Sequence, residues 1–199
     1  MKNVTRLMYL PIILMAVLLF YSCEKEKKSG LPTDGDGNEY DTVAIGTQVW
    51  LNKNLKTTKY RDGSPIRLVT DDTEWTSTTL SVYCWYKNDP TTYKDTYGAL
   101  YNWYAGRLEM LCPVGYHVPT MDEWTTLANY MMDAPEAVKQ SFKVLPVGWR
   151  VWNGSFDGGL SGSWWISSTD GSSYKVRQDF SFAGMPKNTG YSVRCIKNN

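Results

Sequence analysis

Histidine and closely spaced cysteines are almost missing from this 199-residue chain. Its only histidine is His117, and none of the four cysteines belongs to a Cys-x-x-Cys pair. Structural zinc sites take four ligands from cysteine and histidine, so the sequence lacks the ligands for one. A single histidine also has no second histidine as a partner in acid–base chemistry. We therefore predict no metal site and no cofactor, and we expect His117 to pack against its neighbours and donate one hydrogen bond.

An excess of charge of either sign is also absent. The chain has 21 lysines and arginines against 20 acidic residues, a formal net charge of +1. Nucleic-acid binding relies on a strong positive field, so no nucleic-acid partner is predicted. Aromatic residues are abundant by contrast, with nine tryptophans and 14 tyrosines. Their rings bury large apolar areas in a core or form flat binding surfaces, and the composition leaves both uses open.

Residues 7–20 form an almost wholly apolar run behind a positively charged start. A transmembrane helix needs about 20 apolar residues, so this shorter run predicts a secretory signal peptide over residues 1–22. Cys23 follows Ser22 at its end, which resembles the bacterial lipobox, where the cysteine takes a diacylglycerol. We expect a lipoprotein attached through Cys23 to the outer membrane, facing either the periplasm or the outside. The alternative is an uncleaved anchor helix with an incidental cysteine.

Residues 23–41 are charged and then glycine-rich, with almost no apolar side chains. Such a segment buries too little surface to offset its ordering entropy, so we predict a flexible tether. Asp34, Asp36 and Asn38 resemble the start of a calcium-binding loop, but the glycine and glutamate that such a loop needs further on are absent. The folded domain is predicted over residues 42–199.

Within that domain, helical and strand patterns are mixed. Residues 43–51 predict two short strands joined by a tight turn, and 191–196 alternate as a last strand. Apolar spacing predicts a helix over 97–108. Thr120 and Glu123 form a capping box that predicts the start of a second helix. Two helices, short antiparallel strands and long loops indicate an α+β domain.

Several sequence blocks occur together in one order. They are Gly46–Leu51, Asn54-Leu55, Tyr60–Gly63, Tyr83–Tyr86, Tyr97–Tyr104, Cys112–Thr120, Glu123-Trp124, Trp164-Trp165 and Ser192–Cys195. Over roughly residues 43–197 they resemble the Fibrobacter succinogenes major paralogous domain, a family common in exported proteins of Bacteroidetes-type bacteria. The resemblance implies a C-type lectin-like fold, related to that of the formylglycine-generating enzyme.

The resemblance also implies a disulfide bond. In that fold a cysteine near the helices pairs with one in the last strand, which on this chain corresponds to Cys112 and Cys195, leaving Cys84 free and buried. The close cysteine pair with which the formylglycine-generating relatives oxidise their substrate is missing here. The calcium-dependent sugar site of C-type lectins is disfavoured too, because Gly154 follows Asn153 where a carboxylate is needed.

Four aromatic residues between Val147 and Lys187 are the candidate ligand-binding residues: Trp152, Phe156, Trp164 and Trp165. Glycine-rich loops surround them, and such loops are able to present aromatic faces. Trp164 and Trp165 are adjacent, so on a strand they point to opposite faces, one of them available to the surface. The alternative is that these rings simply fill the core.

The function predicted from these features is non-enzymatic. We expect a lipid-anchored domain of the cell envelope that binds a glycan or a surface protein, or presents such a surface. One alternative is an enzyme in the style of the formylglycine-generating relatives, built on Asp62, Asp157 and Asp179 if these converge in one pocket. The other is a structural subunit of a surface or fimbrial assembly, which needs an exposed strand edge.

Overall fold

The computed structural model describes residues 30–142, 147–159 and 161–198. Strands β1 (Thr42–Ile45) and β2 (Gln48–Leu51) form the predicted antiparallel hairpin, with Ile45 opposite Gln48. Gly46 turns the chain with a φ of +58°, and a Cβ there would lie 2.9 Å from the Tyr130 ring. The turn therefore requires glycine for its backbone conformation and for its close packing.

The other strands are short and belong to four small sheets. They are β3 (Arg67–Leu68), β4 (Val82–Cys84), β5 (Leu100–Tyr101), β6 (Tyr116–His117), β7 (Trp149–Arg150), β8 (Phe156–Asp157), β9 (Ser163–Ile166), β10 (Tyr174–Arg177), β11 (Phe182–Gly184) and β12 (Ile196–Lys197). The sheet orders are β1-β2-β12-β6, β11-β10-β9, β3-β4-β5 and β7-β8. Only β3 and β4 pair in parallel among these described strands. Together with the helices, this confirms the α+β class.

Five α-helices lie in the described part of the chain, where the sequence predicted two. They are α1 (Asp72–Ser77), α2 (Pro90–Tyr97), α3 (Trp103–Gly106), α4 (Met121–Asp133) and α5 (Glu136–Ser141). The longest is α4, and it begins as predicted. The Glu123 amide donates to Thr120 Oγ1 over 3.2 Å, and the Thr120 amide donates to Glu123 Oε2 over 2.8 Å. Trp124, Leu127 and Met131 form its buried face.

The helix predicted over 97–108 is wrong in most of its length. Tyr97 is the last residue of α2, Leu100–Tyr101 is a strand, and the other helical residues of this range are Trp103–Gly106. Asn102 separates the two, because its Oδ1 accepts from the amides of Val82 and Ala105. Almost every side chain from Ala99 to Gly106 is buried. Helical spacing of apolar residues therefore carried no information about which face met the core.

The last strand is also shorter than predicted. Only Ile196–Lys197 is a strand, and every residue from Thr189 to Ile196 is buried, without alternation. This segment crosses the core and bonds to different sheets on its way. Tyr191 bridges to Tyr101, and Ser192 bridges to Trp164. Burial on all sides removes the period of two that a half-exposed strand shows.

The implied disulfide bond is confirmed. Cys112 and Cys195 are joined, with 6.0 Å between their Cα atoms. It connects the segment before β6 to the entry of β12. Cys84 is free and buried, as expected. Burial raises the pKa of its thiol to about 12, so the nucleophilic thiolate is not formed at neutral pH.

The tether prediction is wrong for residues 31–41, since the compact unit begins at Leu31 and not at Thr42. Tyr40 is only 2% exposed, and its hydroxyl donates to Asp34 Oδ2 over 2.6 Å. Asp34 Oδ1 also accepts from the Asp36 and Asn38 amides, so this carboxylate organises the loop. Burial of one tyrosine ring offsets the cost of ordering a polar segment. Residues 1–29, including Cys23 and the signal peptide, lie outside the described residues.

No helix in the described ranges has the length and apolar character needed to cross a membrane.

Candidate functional site

Of the four aromatic residues predicted to bind ligand, Trp152 alone is prominently exposed, at 51%. It lies in the turn after β7, over residues 151–155, which we call the Trp152 turn. The Val151 amide donates to the Ser155 carbonyl over 2.7 Å, and the Gly154 amide donates to the Val151 carbonyl over 2.9 Å. Asn153 Oδ1 accepts from both the amide and the hydroxyl of Ser155. These bonds fix the backbone beneath the indole.

Arg150 attaches this turn to the core. Its side chain is completely buried, and Nε donates to the Gly154 carbonyl over 2.9 Å. Nη1 donates to the Val69 carbonyl over 2.7 Å, and Nη2 donates to the Thr70 carbonyl and to Asp72 Oδ1. The guanidinium of Arg150 thus joins the Trp152 turn to residues 69–72, a segment that is far away in sequence. The sequence places Arg150 among the residues that carry the family resemblance, but it assigns no role to the side chain, because each of its partners is distant or a main-chain carbonyl.

Asn188 holds the turn from the other side. Its Nδ2 donates to the Trp152 carbonyl over 3.1 Å and to the Thr76 carbonyl over 2.8 Å. Its own carbonyl accepts from the buried Trp75 indole N–H over 2.6 Å. Gly154 has a φ of +93°, and a Cβ there would lie 2.6 Å from Asp72 Cβ. The turn is therefore pressed against the first residue of α1, and the exposed indole is presented on a rigid frame.

Trp164 and Trp165 are core residues, with 2% and 1% exposure. Their indoles belong to different core clusters, as expected for neighbours on a strand, but β9 is covered on both faces. The Trp164 indole donates to Asn54 Oδ1 over 2.8 Å, and the Trp165 indole donates to the Tyr101 carbonyl over 2.6 Å. This corrects the expectation that one of the pair reaches the surface.

Phe156 is half-buried and supports the turn. Its ring lies 5.6 Å from the Tyr86 ring centroid and 5.1 Å from the Arg150 guanidinium. Arg150 therefore contacts the Phe156 ring and, through the Gly154 carbonyl, holds the turn that carries Trp152. Trp164 and Trp165 do not join them.

The three aspartates of the enzyme alternative are exposed, and each bonds within its own loop. Asp62 accepts from Ser64, Asp157 from the Gly158 amide and Asp179 from Ser181. The serine hydrogen bonds hold the pKa of Asp62 and of Asp179 below the usual value. No described hydrogen bond or ion pair joins two of the three aspartates. Across the described ranges, no group of three or more His, Cys, Asp or Glu is arranged to hold a metal ion.

His117 makes two hydrogen bonds where the sequence predicted one. Nε2 lies 2.9 Å from Glu123 Oε1, and Nδ1 lies 2.8 Å from Asn198 Oδ1. Glu123 therefore serves both the Thr120 cap of α4 and His117 in β6. The hydrogen bond to Glu123 raises the pKa of His117 above 6.5. Burial opposes ionisation of Glu123, but its bonds to His117 and Thr120 lower its pKa below 4.5.

This pair predicts a pH-dependent contribution to stability. Because the pKa of His117 is raised in the folded state, its protonation stabilises the fold fully below pH 6.5. This stabilisation is lost as the pH rises through the pKa of the folded state. Because the pKa of Glu123 is lowered in the folded state, its ionised form stabilises the fold fully above pH 4.5. This stabilisation is lost as the pH falls through the pKa of the folded state. We expect the melting temperature of the wild type to exceed that of His117→Asn most between about pH 4.5 and 6.5. A difference that stays constant into alkaline pH would contradict the ion pair.

This chain matches a protein family but no individual curated protein or solved structure. No curated protein matches this chain, and no solved structure matches it. The family model described as the Fibrobacter succinogenes major domain matches residues 43–197. The matched range contains both cysteines of the disulfide bond and the arginine that anchors the Trp152 turn. This chain belongs to the Fibrobacter succinogenes major domain family.

Proposed function

We propose that this protein is a lipoprotein of the cell envelope whose domain binds a ligand through the Trp152 turn. The observation that carries the proposal is an indole exposed over half its surface on a backbone held by Arg150 and Asn188. A large aromatic side chain that stays exposed contributes little to the core. Held rigidly, it loses little entropy when a sugar ring or a partner side chain stacks on it.

The ligand class that we propose is a glycan or a protein of the cell surface. Stacking on one face of an indole suits both. A calcium-mediated sugar site at this turn is not part of the proposal, because Asn153 Oδ1 is already bonded to Ser155. No cofactor is proposed for this surface.

Attachment to the outer membrane through Cys23 belongs to the same proposal. It is supported by the apolar run of residues 7–20 and by Ser22 before the cysteine. We also propose a C-type lectin-like arrangement of the domain. It is supported by the pairing of β2 with the terminal strand β12, by the disulfide bond near that strand and by α4 with its capped start.

Replacing Trp152 by alanine in the full-length protein tests the binding surface. We expect binding on a glycan array, or to surface proteins, to fall at least about tenfold, as for an exposed aromatic hot spot. The melting temperature should barely change, since exposed side chains contribute little to stability. Tyr130→Ala is the matched control, because Tyr130 is an exposed aromatic residue on α4. Equal losses in both variants, or no loss in either, would contradict the proposed surface.

A structural subunit of a surface assembly is the second candidate function. It is favoured by β11, which forms an edge of the sheet β11-β10-β9 and exposes 37% of Phe182. An exposed strand edge is the surface on which a partner strand is added. Its three residues make a short edge, so the Trp152 turn remains the better-supported surface.

A further inference from the structure

Strand β10 carries two positive charges on one face. Lys175 and Arg177 are separated by one residue, so their side chains share a face of the sheet. None of the ion pairs formed among the described residues includes either side chain. Asp179 offsets part of these two charges without forming an ion pair with either, so one net positive charge remains at this face.

Lys175 is held in an unusual environment for a lysine. It is only 8% exposed, and its ammonium lies 4.9 Å from the Trp149 ring centroid and 5.0 Å from that of Tyr191. The two ring faces offset part of the cost of burying this charge. Burial, and then the charge of Arg177, lower the pKa of Lys175. A negative group bound near these cations would oppose the repulsion between them.

Two hydroxyl groups in the same part of the fold make no hydrogen bond with any described protein group. They are Ser163 Oγ and Tyr191 Oη, and both are buried. Ser163 lies directly opposite Arg177 in the pairing of β9 with β10, so its side chain is on the face of the two cations. Buried polar groups normally have a hydrogen-bond partner, and the described protein groups supply none to these two hydroxyls.

An open groove of about 350 Å³ lies beside Arg177. Its lining consists of Ser161, Gly162, Arg177, Gln178 and Asp179. The Gln178 amide donates to the Gly162 carbonyl over 3.1 Å, which holds the two sides together. The groove thus combines a cation, an amide, a hydroxyl and a carboxylate within the volume of a small-ligand site.

We propose that this groove binds the carboxylate of an acidic sugar, with Arg177 as its direct partner and Lys175 as a second source of positive charge. Arginine is suited to carboxylates because its planar group donates two parallel hydrogen bonds. The hydroxyls of a sugar match the mixed donors and acceptors of Ser161, Gln178 and Asp179. An acidic peptide fits less well, because Asp179 repels further carboxylates along its chain.

This inference rests on the proposed binding function only for the choice of a glycan as ligand class, since it uses other residues than the Trp152 turn. The test is calorimetric titration of the full-length protein in detergent with sialyllactose, an acidic oligomer that carries a single carboxylate, and with lactose as the matching neutral oligomer. We expect binding of the acidic oligomer only. Arg177→Gln should weaken it at least about tenfold, the loss typical of one hydrogen bond to a charged group. Lys175→Met, which keeps the apolar stem, should weaken it severalfold.

Arg61→Gln is the matched control, because Arg61 is exposed and has no described ion pair. It should leave binding unchanged. Absence of binding to the acidic oligomer, or equal weakening by Arg61→Gln, would overturn the proposal. If polyglutamate binds as tightly as the acidic oligomer, and if Arg177→Gln weakens both equally, the ligand is not specifically a sugar and this part of the proposal is wrong. The Trp152→Ala variant should still bind the acidic oligomer. Loss of binding at the Trp152 turn and loss of binding at this groove are therefore distinguishable.

Discussion

Replacing both Cys112 and Cys195 by alanine is expected to lower the free energy of unfolding by about 4 kcal/mol. The disulfide bond closes a loop with a sequence separation of 83 residues. Without it the unfolded chain gains the conformations that the loop excludes, so the unfolded state becomes more favourable. Both cysteines are fully buried, so the double substitution also loses some packing. Urea unfolding of the non-reduced proteins measures the difference.

The control for this experiment is reduction of the wild type. A reductant should shift the wild-type unfolding midpoint toward that of the double variant and leave the variant unchanged. Cys84→Ala is the matched single substitution, because Cys84 is buried but not linked. It removes a buried sulfur atom and its contact with the Arg150 guanidinium, and it should cost less than the double substitution. A double variant that unfolds at the wild-type urea concentration would show that the bond does not form in the protein as purified.

Arg150→Met is expected to destabilise the fold by about 2–5 kcal/mol, the cost of two buried carbonyls that lose their donor. Methionine fills much of the buried volume but leaves the carbonyls of Val69 and Gly154 without their donor. The Thr70 carbonyl keeps the hydrogen bond from Asn88 Nδ2. Buried carbonyls without a partner carry the full cost of losing water. Asp72, which is largely exposed, regains water and adds less. Chemical denaturation gives the change in stability.

Arg107→Met is the control for Arg150, since both guanidinium groups lie against a tryptophan ring. Arg107 lies 4.9 Å from the Trp103 centroid but is exposed, so its loss should cost about 0.5 kcal/mol or less. Arg150→Met should in addition loosen the Trp152 turn, which a faster quenching of Trp152 fluorescence by acrylamide would report. Equal stability of the two arginine variants would show that the network around Arg150 is not a structural anchor.

The features predicted correctly from the sequence depend on residues that are close together in the chain. The hairpin over residues 43–51 needs only alternating strands and Gly46, and the start of α4 needs only Thr120 and Glu123. The bond between Cys112 and Cys195 is different, because the resemblance to a family implied it. Neither the spacing of the cysteines nor their composition selects that pair.

The errors have one physical origin. Strand β5 has the apolar spacing of a helix, and alternation alone makes one of Trp164 and Trp165 available to the surface. Both lie where several elements cover a segment on all sides, so periodicity no longer reports burial. Tyr40 shows the same effect in a polar segment. Its neighbours predict a tether, but one ring reaches the core and orders the loop around Asp34.

By itself, therefore, the sequence determined the class of fold, the hairpin, the capped helix and the family, since each depends on local chemistry or on ordered motifs. Tertiary structure alone decided which aromatic residue is exposed, and it placed the Arg150 guanidinium between its own turn and the distant residues 69–72. It also put Lys175 between two rings and left Arg177 beside a polar groove. The reason is that burial and long-range polar contacts arise only when distant segments meet, and no local pattern records which segments do.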